Sequence, residues 1–166
     1  METQIDKATD ITIVNQYKLH AHLFNNVLVD ITDEDAHQRM SDTTNSFAWI
    51  AGHILWTQYS LANLLGITSE NPYQEQFASG KKFDAQADYG SLEKMKADWN
   101  VLVPKITESM EQMSIEKLNA PSPFPIPYEE QTIRGLLGFQ MHHLGYEIGQ
   151  LGLYRRFLNK AAMSYQ

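Results

Sequence analysis

The sequence predicts an all-α protein, a single domain of four long helices packed as a four-helix bundle. Three observations predict it. The chain has 166 residues, 43% of them hydrophobic and 20% charged, the balance of an ordinary globular domain large enough to fold without a disulfide or structural metal. Four segments repeat apolar residues at spacings of three and four, the period of a helix buried along one face. Between them lies no internal repeat and no hairpin signal, while at least one connection is long, as some bundle topologies require.

The first helix is expected over residues 10–29. Asp10 is its N-cap, and Ile13, Tyr17, Ala21, Phe24 and Leu28 form its apolar face. The second is expected over residues 45–65, with Phe47, Ile50, Ile54, Leu61, Leu64 and Leu65 as apolar positions and Gly66 as its stop. The third, over residues 92–113, has Ser91 as N-cap and repeats Leu92, Met95, Trp99, Leu102, Ile106 and Met110. Pro104 interrupts that pattern and is expected to kink or split the helix, because proline removes a backbone donor and crowds the preceding turn. The fourth, over residues 132–158, is long and strongly patterned. Five glycines fall inside it, at 135, 138, 145, 149 and 152, and read as positions of close helix packing rather than as a phosphate loop.

The connections differ. Residues 30–44 are short and acidic, with Asp33, Glu34 and Asp35 in succession. Residues 67–90 are long and mostly polar, with Pro72, Gly80 and Gly90. Residues 121–127 alternate proline with other residues and are expected to be extended, either as a rigid crossover or as a loop closing one end of the bundle.

Composition excludes several functions. The chain has no cysteine, so disulfide scaffolds, thiolate metal sites and a cysteine nucleophile are ruled out, and any thiol in its chemistry must come from a small molecule. The net charge is −7, from 13 Lys+Arg against 20 Asp+Glu. The basic residues form only isolated pairs, Lys81-Lys82 and Arg155-Arg156, so no nucleic-acid partner is expected. No stretch reaches the roughly 18 apolar residues of a membrane span. Residues 1–10 carry Glu2, Asp6 and Asp10 and no apolar run. No signal peptide or membrane partner is expected, and the expected location is cytoplasmic.

The fourth helix carries the most chemistry. Beside its apolar stripe of Leu137, Met141, Leu144, Ile148 and Leu151 runs a second row: Leu136, Gln140, His143, Glu147, Gln150 and Tyr154. This row reads either as a solvated or interface face, or as a row of ligands. His143 and Glu147 stand one turn apart on one face, within reach of a common metal ion. On the second helix, Ser46, Trp49, His53, Trp56 and Ser60 share a face. A histidine between two tryptophans is either a satisfied core residue or a ligand. Paired across the bundle, His53, His143 and Glu147 would suit zinc, nickel, manganese or ferrous iron and leave coordination positions open. Gln150 is a candidate to orient Glu147 from outside the ligand set. The remaining histidines are weaker candidates. His142 points away from His143, His20 and His22 cannot share a face, and His37 lies in the acidic connection.

The segments Ser46-Phe-Ala-Trp-Ile-Ala-Gly-His53 and His143-Leu-Gly-Tyr-Glu147-Ile-Gly-Gln150 resemble the second-helix and last-helix motifs of the DinB-like family. That family also includes bacillithiol transferase-like and mycothiol-dependent isomerase-like proteins. Order, spacing and length agree over nearly the whole chain, so one DinB-like domain is expected over residues 1–166. The resemblance implies an up-up-down-down four-helix bundle, commonly dimeric, with a divalent metal held by three histidines. It also implies metal-dependent transfer or isomerisation with a low-molecular-weight thiol as cosubstrate, and zinc or nickel ahead of manganese or iron. His53 and His143 match two of the family's ligands. Glu147 stands where the family has its third histidine, which lowers the site's charge by one and favours harder metals.

Overall fold

The computed structural model describes residues 10–165. The N-terminal segment read as lacking a signal peptide therefore lies, up to residue 9, outside the described residues. Among the described residues the chain forms seven α-helices and no strand. They are α1 (Ile11–Val27), α2 (Asp33–His37), α3 (Phe47–Leu64), α4 (Gln74–Phe77), α5 (Leu92–Glu111), α6 (Ile115–Asn119) and α7 (Ile133–Phe157), with a 3-10 turn over Ala78–Gly80. The four long helices are the four that periodicity predicts, with ends within two residues of expectation.

Caps fix where the long helices start. Asp10, Ser46, Ser91 and Thr132 each accept a backbone N–H three residues on, satisfying a donor that has no partner within the helix. Gly66 ends α3 with φ +87°, a conformation that side-chain-bearing residues avoid. Inside the acidic connection, Thr32 and Asp35 form a reciprocal capping box that starts α2. Short α2, α4 and α6 lie below the length that periodicity can detect.

Pro104 neither splits nor ends its helix, since α5 is continuous through it. Pro104 and Asn100, whose carbonyl loses its usual partner, are both exposed. Water can therefore replace the missing donor, which removes much of the penalty expected of a buried proline.

The apolar stripes face inward as expected. Trp99 of α5 is fully buried, packs against Phe24 of α1 at a ring separation of 4.2 Å and donates from Nε1 to the carbonyl of Ala21 at 3.2 Å. α1 packs on α5 and α7, and α3 packs on the same two helices.

Pairings along the helices give their directions. Asp10 meets Arg134, His20 lies against Gly145, and Val27 accepts from Arg155, so α1 and α7 run the same way. Asn45 accepts from Tyr154 while His53 meets Glu147, so α3 runs opposite to α7. Lys18 meets Glu111 and Asn25 meets Asn100, so α5 runs opposite to α1. The order is up-down-down-up, which corrects the up-up-down-down order implied by resemblance.

The connections explain this order. α3 and α5 are parallel, so the chain between them must return along the length of α3, about 27 Å for its 18 residues. Residues 65–91 make that crossover. The proline-rich segment joins antiparallel α5 and α7 and therefore closes one end. The Gln131 side chain holds that loop, accepting from the Ile126 N–H at 3.2 Å and donating to the Ile126 carbonyl at 2.8 Å.

Candidate metal centre

α3 and α7 bring the three candidate ligands together. Each offers a donor atom, and these atoms lie within 4.8 Å of one another. His53 donates from Nδ1 to Glu147 Oε1 at 2.5 Å, and His143 Nε2 lies 3.7 Å from the same oxygen. Packing of α3 on α7 makes this possible, because one turn of α7 places both His143 and Glu147 opposite a single residue of α3. The polar row of α7 therefore faces inward. Leu136, Glu147 and Tyr154 are buried, while Gln140, His143 and Gln150 are half-buried.

Aromatic rings fix the His53 side of the centre. Trp49 stacks on the His53 ring at 5.0 Å and 6°, while Trp56 lies 5.5 Å away on a tilted plane. Trp56 is held in turn by its Nε1 donating to Gln74 Oε1 at 2.9 Å. Phe77, at the end of α4, meets both Trp49 and His53 edge-on, at 5.5 and 5.6 Å. Gly52 makes room for it, since a Cβ there would stand 3.0 Å from Phe77 Cζ. Phe139 stacks over His143 at 6.2 Å. Phe77 was not among the expected site residues. Its signal was present in the sequence, as Tyr73 and Phe77 one turn apart in a mostly polar connection.

The residues fit a metal ion on their own chemistry. Glu147 is 5% exposed, and its Oε2 is buried with no hydrogen-bond partner among the described residues. A buried carboxylate oxygen left without a partner is costly, and a cation between the carboxylate and two imidazoles would remove that cost. Two imidazoles and one carboxylate form a recognised donor set for divalent ions. Burial also lowers the pKa of His143 below its ordinary value, and His53 and His142 push it the same way against the raising effect of Glu147. The neutral imidazole that a metal requires is thereby favoured.

The family model described as the DinB superfamily matches residues 16–151. The chain belongs to the DinB superfamily. No curated protein matches it. The DinB match spans both motif segments, so His53 and the His143–Glu147 pair lie within the matched region.

The other expected residues are placed differently. Gln150 forms no hydrogen bond to Glu147, whose Oε2 has no partner and whose Oε1 is taken by His53. Gln150 instead borders a separate cavity of about 260 Å³ with Met40, Thr44 and Tyr154. His142, His22 and His37 are exposed. His20 is half-buried on α1, its ring against Gly145, and burial lowers its pKa below the ordinary value. Among the α7 glycines, close packing holds at Gly135 and Gly145 only. A Cβ at Gly138 or Gly152 would make ordinary contacts, and one at Gly149 would meet nothing within 4 Å.

Proposed function

We propose that this chain is a metal-dependent enzyme acting on a small molecule, with one divalent ion held by His53, His143 and Glu147. The observation that carries this reading is the buried, unpartnered Oε2 of Glu147 beside two imidazoles. Zinc or nickel are the favoured ions, with manganese or ferrous iron as the harder alternatives. When bound, such an ion supplies Lewis acidity that activates a nucleophile near neutral pH. The chain has no cysteine, so that nucleophile is water or a low-molecular-weight thiol. Thiol transfer or isomerisation is the first reaction in this reading and hydrolysis the second. Trp49, Trp56 and Phe77 hold the His53 ring and exclude water from its flank. The Glu147 carboxylate adds negative charge, making the centre a weaker Lewis acid than three imidazoles would. The same reading takes the four long helices as a closed four-helix bundle acting in the cytoplasm.

A specific observation favours a second reading. The 2.5 Å bond between His53 and Glu147 closes that pair without an ion, as it would in a non-catalytic bundle that binds a ligand or partner. Metal-loaded protein assayed with a panel of thiols and electrophiles separates the readings. Turnover that needs both thiol and metal and is lost in His53→Ala supports transfer, and turnover without thiol supports hydrolysis. No turnover, with less than stoichiometric metal after purification without a histidine tag, favours the binding bundle.

The proposed assembly is a homodimer, with no nucleic-acid partner. α1 and α7 are adjacent and parallel, and they leave large apolar residues in solvent, among them Leu19, Tyr146 at 64% exposure and Leu153 at 61%. Light scattering at micromolar concentration is expected to give twice the chain mass for the native protein and the chain mass for Leu153→Glu. A native monomer would overturn the dimer.

A further inference from the structure

A cleft of about 440 Å³ opens beside the metal centre. Its walls come from three stretches: residues 39–45 before α3, Trp49 on α3, and residues 81–83 of the crossover. Among the described residues Arg39, Lys81 and Lys82 line it against the carboxylate of Asp42, and Lys81 and Lys82 also border an adjoining cavity with Glu75, Asp84 and Asp88. In a chain of net charge −7, three cations around one cleft run against the overall balance.

Arg39 is held in place. Its guanidinium lies 4.6 Å over the ring of Phe83, its Nε donates to the Thr44 carbonyl at 2.6 Å, and its Nη2 donates to the Asp42 carbonyl. Among the described residues Nη1 makes no hydrogen bond and no carboxylate pairs with the guanidinium. Lys82 likewise has no ion-pair partner among the described residues, while Lys81 donates to the Glu75 carbonyl. Thr43, Thr44 and Asn45 add hydroxyl and amide groups to the wall, and Phe83 and Trp49 add aromatic faces. Trp49 is also the ring stacked on His53, so a ligand lying against the cleft's inner wall is one indole away from the proposed ligand set.

We infer that this cleft seats the anionic group of the substrate, a carboxylate or a phosphate, on Arg39 and Lys82, with the aromatic walls covering the carbon next to it. An oriented guanidinium with free N–H groups matches the planar, bidentate geometry of such anions. The inference rests on the proposed metal centre as the place of reaction, but the cleft's affinity for anions can be measured without it.

Calorimetric titration of the native protein with benzoate and with phenyl phosphate tests the assignment, with benzyl alcohol as the neutral control. Saturable binding of at least one anion is expected, weakening with added salt, and the tighter of the two names the class. Arg39→Met and Lys82→Met are each expected to weaken binding about tenfold, the usual effect of losing one charge-assisted hydrogen bond. Arg39→Lys is expected to restore part of it. Zinc binding, titrated separately in the same variants, is expected to stay at the native level. Binding of neither anion would overturn the inference, as would anion binding insensitive to both substitutions or matched by benzyl alcohol. A native protein that binds anion in this pattern but no metal would instead sink the metal-centre reading and leave the anion seat standing.

Discussion

Titrating the metal-free protein with zinc or nickel is expected to raise its melting temperature, and His143→Ala is expected to abolish that rise. An ion that binds only the folded chain stabilises it by about 2.7 kcal/mol at a hundred times its dissociation constant. For a chain of this length that corresponds to roughly 5–10 °C. His143 is half-buried at the edge of the core, so its truncation removes a ligand without opening the interior. Glu147 gives the sharper test, because its two forms of instability separate. Without metal, its Oε2 is buried and unpartnered, so Glu147→Gln is expected to melt no lower than the native protein, the amide being easier to bury than the charge. With metal present the order reverses, and the native protein melts well above both Glu147→Gln and Glu147→Ala. Glu147→His is expected to strengthen zinc or nickel binding by supplying a third imidazole. Metal binding by Glu147→Ala as tight as that of the native protein would remove the carboxylate from the ligand set.

Gly135→Ala is expected to destabilise the fold by about 1–3 kcal/mol or more, the range of an overpacked core. A Cβ at this position would stand 2.1 Å from the Glu130 carbonyl oxygen and 3.2 Å from Ile126 Cδ1. The first obstacle is backbone and has no rotamer to swing away. To accept the methyl group, the turn before α7 must move, and that turn is braced internally by the Gln131 side chain on Ile126 and anchored by burial of Ile126. Gly138→Ala, one turn along the same helix, is the control. Its nearest neighbour would be Tyr128 Cε2 at 3.5 Å, an ordinary contact, and alanine is the better helix former by about 1 kcal/mol. Urea denaturation is expected to place Gly138→Ala at or above native stability and Gly135→Ala clearly below it. Equal stabilities would mean that the turn closes around α7 more loosely than the 2.1 Å approach requires.

The helices were legible because their signals are local. Apolar residues at helical spacing, with Asp10 and Ser91 able to cap the first turn, mark the four long helices wherever they pack, and the structure adds Ser46 and Thr132 as the caps of the other two. The motif pair around His53 and around His143 and Glu147 was legible for the same reason, since the order and spacing of candidate ligands survive in one dimension. Local sequence was misleading at Pro104, where the penalty depends on which side of the helix meets water, and at the α7 glycines, where a missing Cβ matters only if another chain segment occupies its place.

What the sequence alone determined was the class of fold, the helix spans and the three residues fit to hold a metal. What only the tertiary structure decided was direction and company. The parallel run of α1 and α7 emerges from pairs distant in sequence, such as Asp10 with Arg134 and Val27 with Arg155. Because α3 packs on the face of α7 that carries the polar row, His53 meets Glu147 and Glu147 becomes a buried carboxylate. Once α3 and α5 run the same way, the connecting chain must return along the length of α3, and it carries Phe77, Lys81, Lys82 and Phe83 to the side of α3 where His53 and Trp49 stand. The physical reason is common to both. Periodicity reports which face of a helix avoids water, whereas the neighbour it meets is set by how the chain closes on itself.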